Sequence, residues 1–358
     1  MLSPTESTAL RLRCDRFLVG HGPVSPAALL ADIPADVELD TYGEGGVVAE
    51  LEAEVAALLG KPAAVFLPSG IMAQQSALRV HADRRGRRTV LHHPTCHLAH
   101  HEGGALERVQ HLVGRAVGNA DRLITMEDLE EVAEPPAALL LELPQREIGG
   151  PLPAWDDLVA QTAWARDRGA AVHCDGARLW EASAGYGRPP ADLAGLFDTV
   201  YVSFYKGIGA LAGCCVAGDD ETIAEVREWR KRLGGTLYGL WPAAASALSL
   251  LRRRLPLMPA YFAHTLAIAD ALRDVEGVTV LPDPPQTPMF HLLLDASVAT
   301  IDASIRRIAE AESIWMFRGA SPTGDPRTQR AEIAIGDATM AFEPEEVARL
   351  LAGLVGPS

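Results

Sequence analysis

No stretch of this 358-residue chain stays apolar for the roughly eighteen positions a membrane-spanning helix needs, so no such helix is expected. The opening, Met1-Leu-Ser-Pro-Thr-Glu6, has no basic segment ahead of a hydrophobic one, so no secretory signal is expected either. Basic residues are in deficit. The 32 Lys and Arg against 47 Asp and Glu leave a net charge of −15, which repels nucleic acid and anionic membranes over most of the surface. Two basic runs, Arg84-Arg85-Gly86-Arg87-Arg88 and Arg252-Arg253-Arg254, read as solvated helix ends or turns. Cysteine is scarce and unpatterned. Cys14, Cys96, Cys174, Cys214 and Cys215 are odd in number, lack zinc-like spacing and read as reduced cytosolic thiols. There is no internal repeat and no low-complexity segment. These absences predict a cytoplasmic protein with neither nucleic-acid nor membrane partners. What is present is apolar content, 48% of residues, enough for the core of a large domain accompanied by a smaller one.

From residue 47 to about 240 helical and strand-like patterns alternate. Val48, Leu51, Val55 and Leu58 recur three and four apart and predict an amphipathic helix over Val47–Leu59, stopped by Gly60. Ala63–Leu67 predicts a strand, Pro68-Ser69-Gly70 a turn and Met72–His81 a helix. Further strands are expected at Thr89–Leu91, Ala137–Glu142, Ala170–His173, Asp198–Phe204 and Ala212–Ala217, with a helix over Trp155–Arg168. Such alternation predicts a mainly parallel sheet covered by helices. Beyond Trp241-Pro242 come helical stretches at Ala243–Arg254 and Pro259–Glu276, then strands at Val278–Leu281, Phe290–Leu294 and Ala331–Ile335. With helices over Thr300–Glu312 and Pro344–Leu354, this suits a small α+β domain. We expect residues 1–245 to form an N-terminal arm plus the large α/β domain, and residues 246–358 the small domain.

Two segments end apolar strands in a charged side chain. One is Val172-His-Cys-Asp175-Gly-Ala-Arg178, the other Asp198-Thr-Val-Tyr-Val-Ser-Phe-Tyr-Lys206-Gly-Ile-Gly209. A carboxylate and a lysine at the carboxyl ends of neighbouring strands suit pyridoxal phosphate, which needs an amine for its aldehyde and an acid to keep its ring nitrogen protonated. The strand-to-helix turn Ser69-Gly70-Ile71 aims free backbone N–H groups at one point, as a phosphate requires. Arg178 could reach the cofactor's phenolic oxygen or a substrate carboxylate. Five histidines crowd residues 92–101. His97 and His101 have a zinc-compatible spacing but no acidic or cysteine partner at a recognisable spacing, so no metal is expected, and one imidazole stacked on a flat ring is the better reading.

In this order the motifs resemble the threonine aldolase branch of the β-eliminating lyases. The carriers are His173-Cys-Asp175-Gly-Ala-Arg178, Ser203-Phe-Tyr-Lys206-Gly-Ile-Gly, Phe66-Leu-Pro-Ser69-Gly70, Tyr42-Gly43-Glu44 and His97-Leu-Ala-His-His-Glu102-Gly-Gly. The resemblance implies an aspartate-aminotransferase-like, fold-type-I enzyme with a mainly parallel seven-stranded sheet, acting as a homodimer or homotetramer. It makes Lys206, His97 and Asp175 the catalytic residues, and Ser69, Gly70, Ile71 and Arg178 cofactor ligands. The chain departs from the family at several points. Ile71 stands for a threonine, Tyr205 for a serine, Gln145 for the second active-site histidine and Tyr238 for an arginine. Cys14-Asp15-Arg16 replaces an early Ser-Asp-Thr, and Arg330 is the nearest counterpart of the arginine that grips the substrate carboxylate. Arg178, Gln145, Cys14 and Arg330 are thus the substrate-binding candidates.

The implied activity is pyridoxal-phosphate-dependent cleavage of the Cα–Cβ bond of a β-hydroxy-α-amino acid to glycine and an aldehyde. The departures leave open β-elimination, racemisation, or a fold that binds cofactor without catalysis.

Overall fold

The computed structural model describes residues 4–23, 25–317 and 319–355. Its contacts divide the chain into two units. One comprises residues 26–148 and 152–256, the other residues 1–25, 149–151 and 257–358.

The first unit is built on seven strands: β1 (Ala63–Leu67), β2 (Thr89–His92), β3 (Val113–Ala116), β4 (Ala138–Glu142), β5 (Ala171–Gly176), β6 (Thr199–Ser203) and β7 (Cys214–Gly218). Their order is β1-β7-β6-β5-β4-β2-β3. Only β7 runs against its neighbours; β6, β5, β4, β2 and β3 are mutually parallel. Strands β5, β6 and β7 are buried throughout, as expected of uninterrupted apolar runs covered on both faces. The covering helices include α1 (Gly46–Leu59), α2 (Gly70–Arg85), α3 (Trp155–Asp167), α4 (Leu179–Tyr186), α5 (Asp220–Arg232) and α6 (Trp241–Arg254). Gly60 ends α1 in the left-handed conformation, the stop its position predicts. Strand β3 is absent from the sequence expectation. Its Val-Gly-Arg-Ala lies at the sheet edge with three of four residues exposed, so it carries no apolar run.

The basic runs are not simply solvated. Arg87 donates to the carbonyls of Pro136 and Arg168, and buried Arg254 donates to that of Ile208. Arg252 reaches Glu50 and Glu54 on α1. Arg87 and Arg254 thus satisfy backbone carbonyls, and Arg252 pairs with carboxylates.

Buried Asp40 explains the Tyr42-Gly43-Glu44 segment. Its carboxylate accepts from the backbone N–H groups of Gly43 (2.8 Å), Leu240 (2.8 Å) and Trp241 (2.7 Å), which ties this loop to the first turn of α6. The turn requires positive φ at Tyr42 and Gly43, and a Cβ on Gly43 would press on the buried Arg230 guanidinium.

The second unit holds an antiparallel sheet of β8 (Val278–Leu281), β9 (Met289–Leu294), β10 (Ser321–Pro322) and β11 (Gln329–Ala334), in the order β10-β11-β9-β8. Helices α7 (Met258–Leu272), α8 (Val298–Glu312) and α9 (Pro344–Val355) accompany it, with α9 packed on α7 and α8. Where the sequence suggested a single span of 1–245, residues 1–25 group with this unit. Arg16–Phe17 pairs in parallel with Ile314–Trp315, and Gly20 bridges Ile335. Arg16 also pairs with Glu346 on α9. Among the described residues, no helix is long and apolar enough to cross a membrane.

Replacing Asp40 with alanine leaves three N–H donors facing a void, two of them in buried residues. We expect Asp40→Ala to cost about 2 kcal/mol, read as a lower urea midpoint at unchanged slope, with Asp40→Asn recovering part of it.

Candidate active site

The parallel strands bring their carboxyl ends to one edge. Glu142 ends β4 opposite Asp175 of β5, and Asp175 in turn lies opposite Tyr201 of β6. Lys206 follows three residues after β6. Asp175 is 1% exposed and accepts from the Gln74 amide at 2.6 Å and from the Ala177 backbone N–H at 3.1 Å. The half-buried Lys206 amine is held below the usual lysine range by burial. The negative charge of Asp175 and Glu142 opposes that shift, while Arg178 and Arg146 add to it. All four charged groups therefore act on the lysine.

Ser69 caps α2, its hydroxyl accepting from the Met72 N–H at 3.3 Å. Gly70 has no room for a side chain, since a Cβ there would collide with the Tyr201 hydroxyl and lie 3.2 Å from that of Tyr205. The two phenol oxygens are 3.4 Å apart. This is a shaped cradle at a helix N-terminus, lined by hydroxyls. Ser203 completes it: its hydroxyl is buried without a hydrogen-bond partner, although the Tyr205 phenol is close enough to respond to it. Beside Lys206, a Cβ on Gly207 would collide with buried Glu181, one of whose carboxylate oxygens also lacks a partner. An N-terminal cradle for a phosphate, a carboxylate for a protonated ring nitrogen and a desolvated amine fit pyridoxal phosphate.

His97 opens a short helix, His97–His100, and is fixed at two points. Its backbone N–H donates to Glu142 (3.3 Å), and its Nδ1 lies 3.2 Å from Glu102. The Glu102 side chain is wholly buried and also accepts from the Gln75 amide at 3.1 Å. A carboxylate can only accept, so Nδ1 carries the proton and the lone pair of the neutral ring sits on Nε2. Glu142 accepts from three groups: the backbone N–H groups of His97 and Arg146, and the Gln145 amide at 3.2 Å. Burial, and then the charge of Asp175, push its carboxyl up to about 7.

Of the residues singled out from sequence, Ser69, Gly70, His97, Asp175 and Lys206 stand in this constellation. Ile71 is exposed on the first turn of α2, and Arg178 stands at the N-cap position of α4, where its charge acts on Lys206. Gln145 is buried, its amide given to Glu142 and Thr95. Cys14 and Arg330 belong to the other unit, where the Cys14 thiol donates to the Leu10 carbonyl and Arg330 lies on β11. Gln74, Gln75, Glu102, Glu142, Tyr201 and Glu181 were not picked out from sequence. The one available signal was the run of polar residues on the inward face of α2. His101 pairs with Glu147, and His93 sits between Thr95 and the Arg122 carbonyl. Among the described residues, no group of three or more His, Cys, Asp or Glu side chains could hold a metal.

This arrangement places the protein among fold-type-I pyridoxal-phosphate enzymes, and the chain belongs to the β-eliminating lyase family, which it matches over residues 23–296. It is 28% identical to low-specificity L-threonine aldolase 1 of Arabidopsis thaliana over 80% of this chain and 83% of that one. It is 32% identical to aldolase vrtJ of Penicillium aethiopicum over 79% of this chain and 74% of that one. Among solved structures, a Listeria monocytogenes protein provisionally named an L-allo-threonine aldolase superimposes with a TM-score of 0.91 at 35% identity, covering 98% of each chain. A serine palmitoyltransferase, at 18% identity and a TM-score of 0.63, shares the fold.

Two outcomes follow. Gly70→Ala should weaken pyridoxal phosphate binding roughly tenfold to a hundredfold by overpacking, with the fold retained, and adding Tyr201→Phe should restore part of the affinity in a fluorescence titration. Because Glu142 keeps its proton to a higher pH folded than unfolded, its contribution to stability is full below about 4.5 and is lost as pH rises through about 7. Urea unfolding of the cofactor-free protein between pH 5 and 8 should show this decline, and Glu142→Gln should flatten it.

Proposed function

We propose that this chain is a pyridoxal-phosphate-dependent aldehyde-lyase that cleaves the Cα–Cβ bond of a β-hydroxy-α-amino acid to glycine and an aldehyde. The observation that carries the reading is the His97–Glu102 pair, tethered through Glu142 to the strand ends that bear Asp175 and precede Lys206. The cofactor supplies an aldehyde for the substrate amine and a protonated ring that draws in the electron pair of the broken bond. The chain's own residues supply the rest. Burial leaves Lys206 more readily uncharged and so able to hold that aldehyde. Asp175 faces the ring nitrogen and keeps its proton in place. The Ser69-Gly70-Ile71 turn holds the phosphate, helped by the Tyr201, Ser203 and Tyr205 hydroxyls. Arg178 orients the phenolic oxygen or the substrate carboxylate.

His97 covers the ring face, and its Nε2 takes the proton of the substrate's β-hydroxyl. Glu102 then faces an imidazolium whose charge it balances. Gln145 cannot take that proton at neutral pH, and its amide is already given to Glu142, so His97 is the base. We place the enzyme in the cytoplasm on its five unpaired thiols, as a homodimer or homotetramer. The exposed Tyr42–Tyr238 ring pair supports such an assembly, which light scattering would measure.

Purified protein loaded with cofactor should release glycine and acetaldehyde from L-threonine or L-allo-threonine. A 2-oxo acid with ammonia would point to β-elimination instead. Lys206→Ala should abolish turnover, and full activity in that variant would overturn the reading. Glu102→Gln should lower kcat by about 10²-fold while leaving cofactor binding within a factor of a few.

A further inference from the structure

Behind Asp175 lies a line of buried polar side chains that the proposed chemistry does not use. Gln74 Nε2 is 2.6 Å from Asp175 Oδ2, and Gln74 Oε1 is 3.2 Å from His173 Nε2. His173 Nδ1 is 2.8 Å from Thr199 Oγ1, which is 2.7 Å from His81 Nε2. None of the five residues is more than 3% exposed. They come from α2, β5 and β6, so the line crosses from the covering helix into the sheet and back.

The direction of every bond follows from the first. A carboxylate only accepts, so the Gln74 amide nitrogen must face Asp175 and its oxygen must face His173. His173 therefore donates from Nε2, and its Nδ1, unprotonated in the neutral ring, accepts the Thr199 hydroxyl proton. The Thr199 oxygen then accepts from His81 Nε2. Burial supports neutral rings by holding both histidines down to about 3. Each group leaves the next one only one orientation. An apolar core of the same volume would avoid the desolvation of these groups, so a fully connected line of this kind needs a reason beyond packing.

We infer that the line His81–Thr199–His173–Gln74 holds Asp175 ionised and correctly turned, making these four residues positioning residues for the cofactor's ring nitrogen. The inference rests on the reading that Asp175 faces that nitrogen. A proton arriving on Asp175 would weaken both bonds its oxygens accept, from Gln74 on Oδ2 and Ala177 on Oδ1, because N–H donors favour the charged carboxylate. The Gln74 amide cannot turn to accommodate it without placing its NH₂ against the His173 N–H, so the whole line would have to reverse. The proton is therefore left on the ring, where an electron sink requires it.

The test uses holoenzyme loaded with pyridoxal phosphate carrying ¹⁵N in its ring, read by the nitrogen chemical shift together with cofactor affinity. Thr199→Val removes the hydroxyl without changing size, Gln74→Met breaks the link next to Asp175, and Thr199→Ser restores the hydroxyl. Both breaking variants should move the ¹⁵N shift towards its unprotonated position and weaken cofactor binding on the order of tenfold. Thr199→Ser should match the parent. If Thr199→Val does not fold, Gln74→Met decides. Variants that fold, as circular dichroism shows, yet keep the parent shift and affinity would overturn the inference. Asp175→Asn separates the two readings. If it moves the shift while the others do not, only the line is wrong. If it leaves the shift unmoved, Asp175 does not face the ring and both readings fall.

Discussion

A carboxylate with almost no exposure to water must be held by fixed donors, or it will take up a proton and lose its charge. Asp175 meets this constraint at the end of a central strand, and much of the surrounding structure answers to it. The Ala177 N–H turns back onto one oxygen, and the Gln74 amide reaches the other from the helix above. Glu142 sits beside it on the next strand and is pushed towards its neutral form partly by that fixed charge. Lys206, Arg178 and Arg146 supply positive charge nearby. Two neighbouring strand ends thus carry carboxyl groups, and the segments that follow them supply the positive charge.

Helix α2 is the element through which the frame is assembled. Its first turn makes the cradle with the Tyr201 and Tyr205 hydroxyls, Gln74 serves Asp175, Gln75 serves Glu102 and so His97, and His81 bonds Thr199 at the end of the line. A rigid helix sets those separations by its pitch, so the cradle, Asp175 and the His97–Glu102 pair are held at fixed distances by one element. This explains why α2 buries Gln74, Gln75, Ser76 and His81 together, an inner face that simple amphipathicity would have filled with apolar side chains.

Residues whose meaning is local were legible in the sequence. Lys206 and Asp175 each close an apolar run, Gly60 stops a periodic helix, and Ser69-Gly70 joins a strand to a helix. The seven-stranded, mainly parallel sheet came with the family resemblance, and β1, β2 and β4–β7 could be placed from their apolar runs. Residues whose partners lie far along the chain were not legible. Gln74 and Asp175 are 101 positions apart, and nothing near either announces the other. Glu102 stood in a recognised segment but had no role until its carboxylate was seen against His97. Edge strand β3 was hidden by Gly114 and Arg115, and the basic runs by the assumption that guanidiniums face water. The N-terminal arm was expected on the large domain, whereas the pairing of Arg16–Phe17 with Ile314–Trp315 could only emerge in three dimensions.

The single reversed strand has its own consequence for the lysine. Because β7 runs against β6, residues 204–213 connect hydrogen-bonded neighbours, pinned at Ser203 opposite Cys214. Within the span, Ala210 donates to the Phe204 carbonyl and Gly209 to that of Lys206. A crossover between parallel strands can lengthen on the far side of its helix without disturbing either strand. This closed span has no such slack, since an added residue must either bulge beside the amine or slip the register of a buried pair. Lys206 is therefore held by a measured length of chain as much as by its neighbours, and natural variation in loop length should fall elsewhere in the sheet.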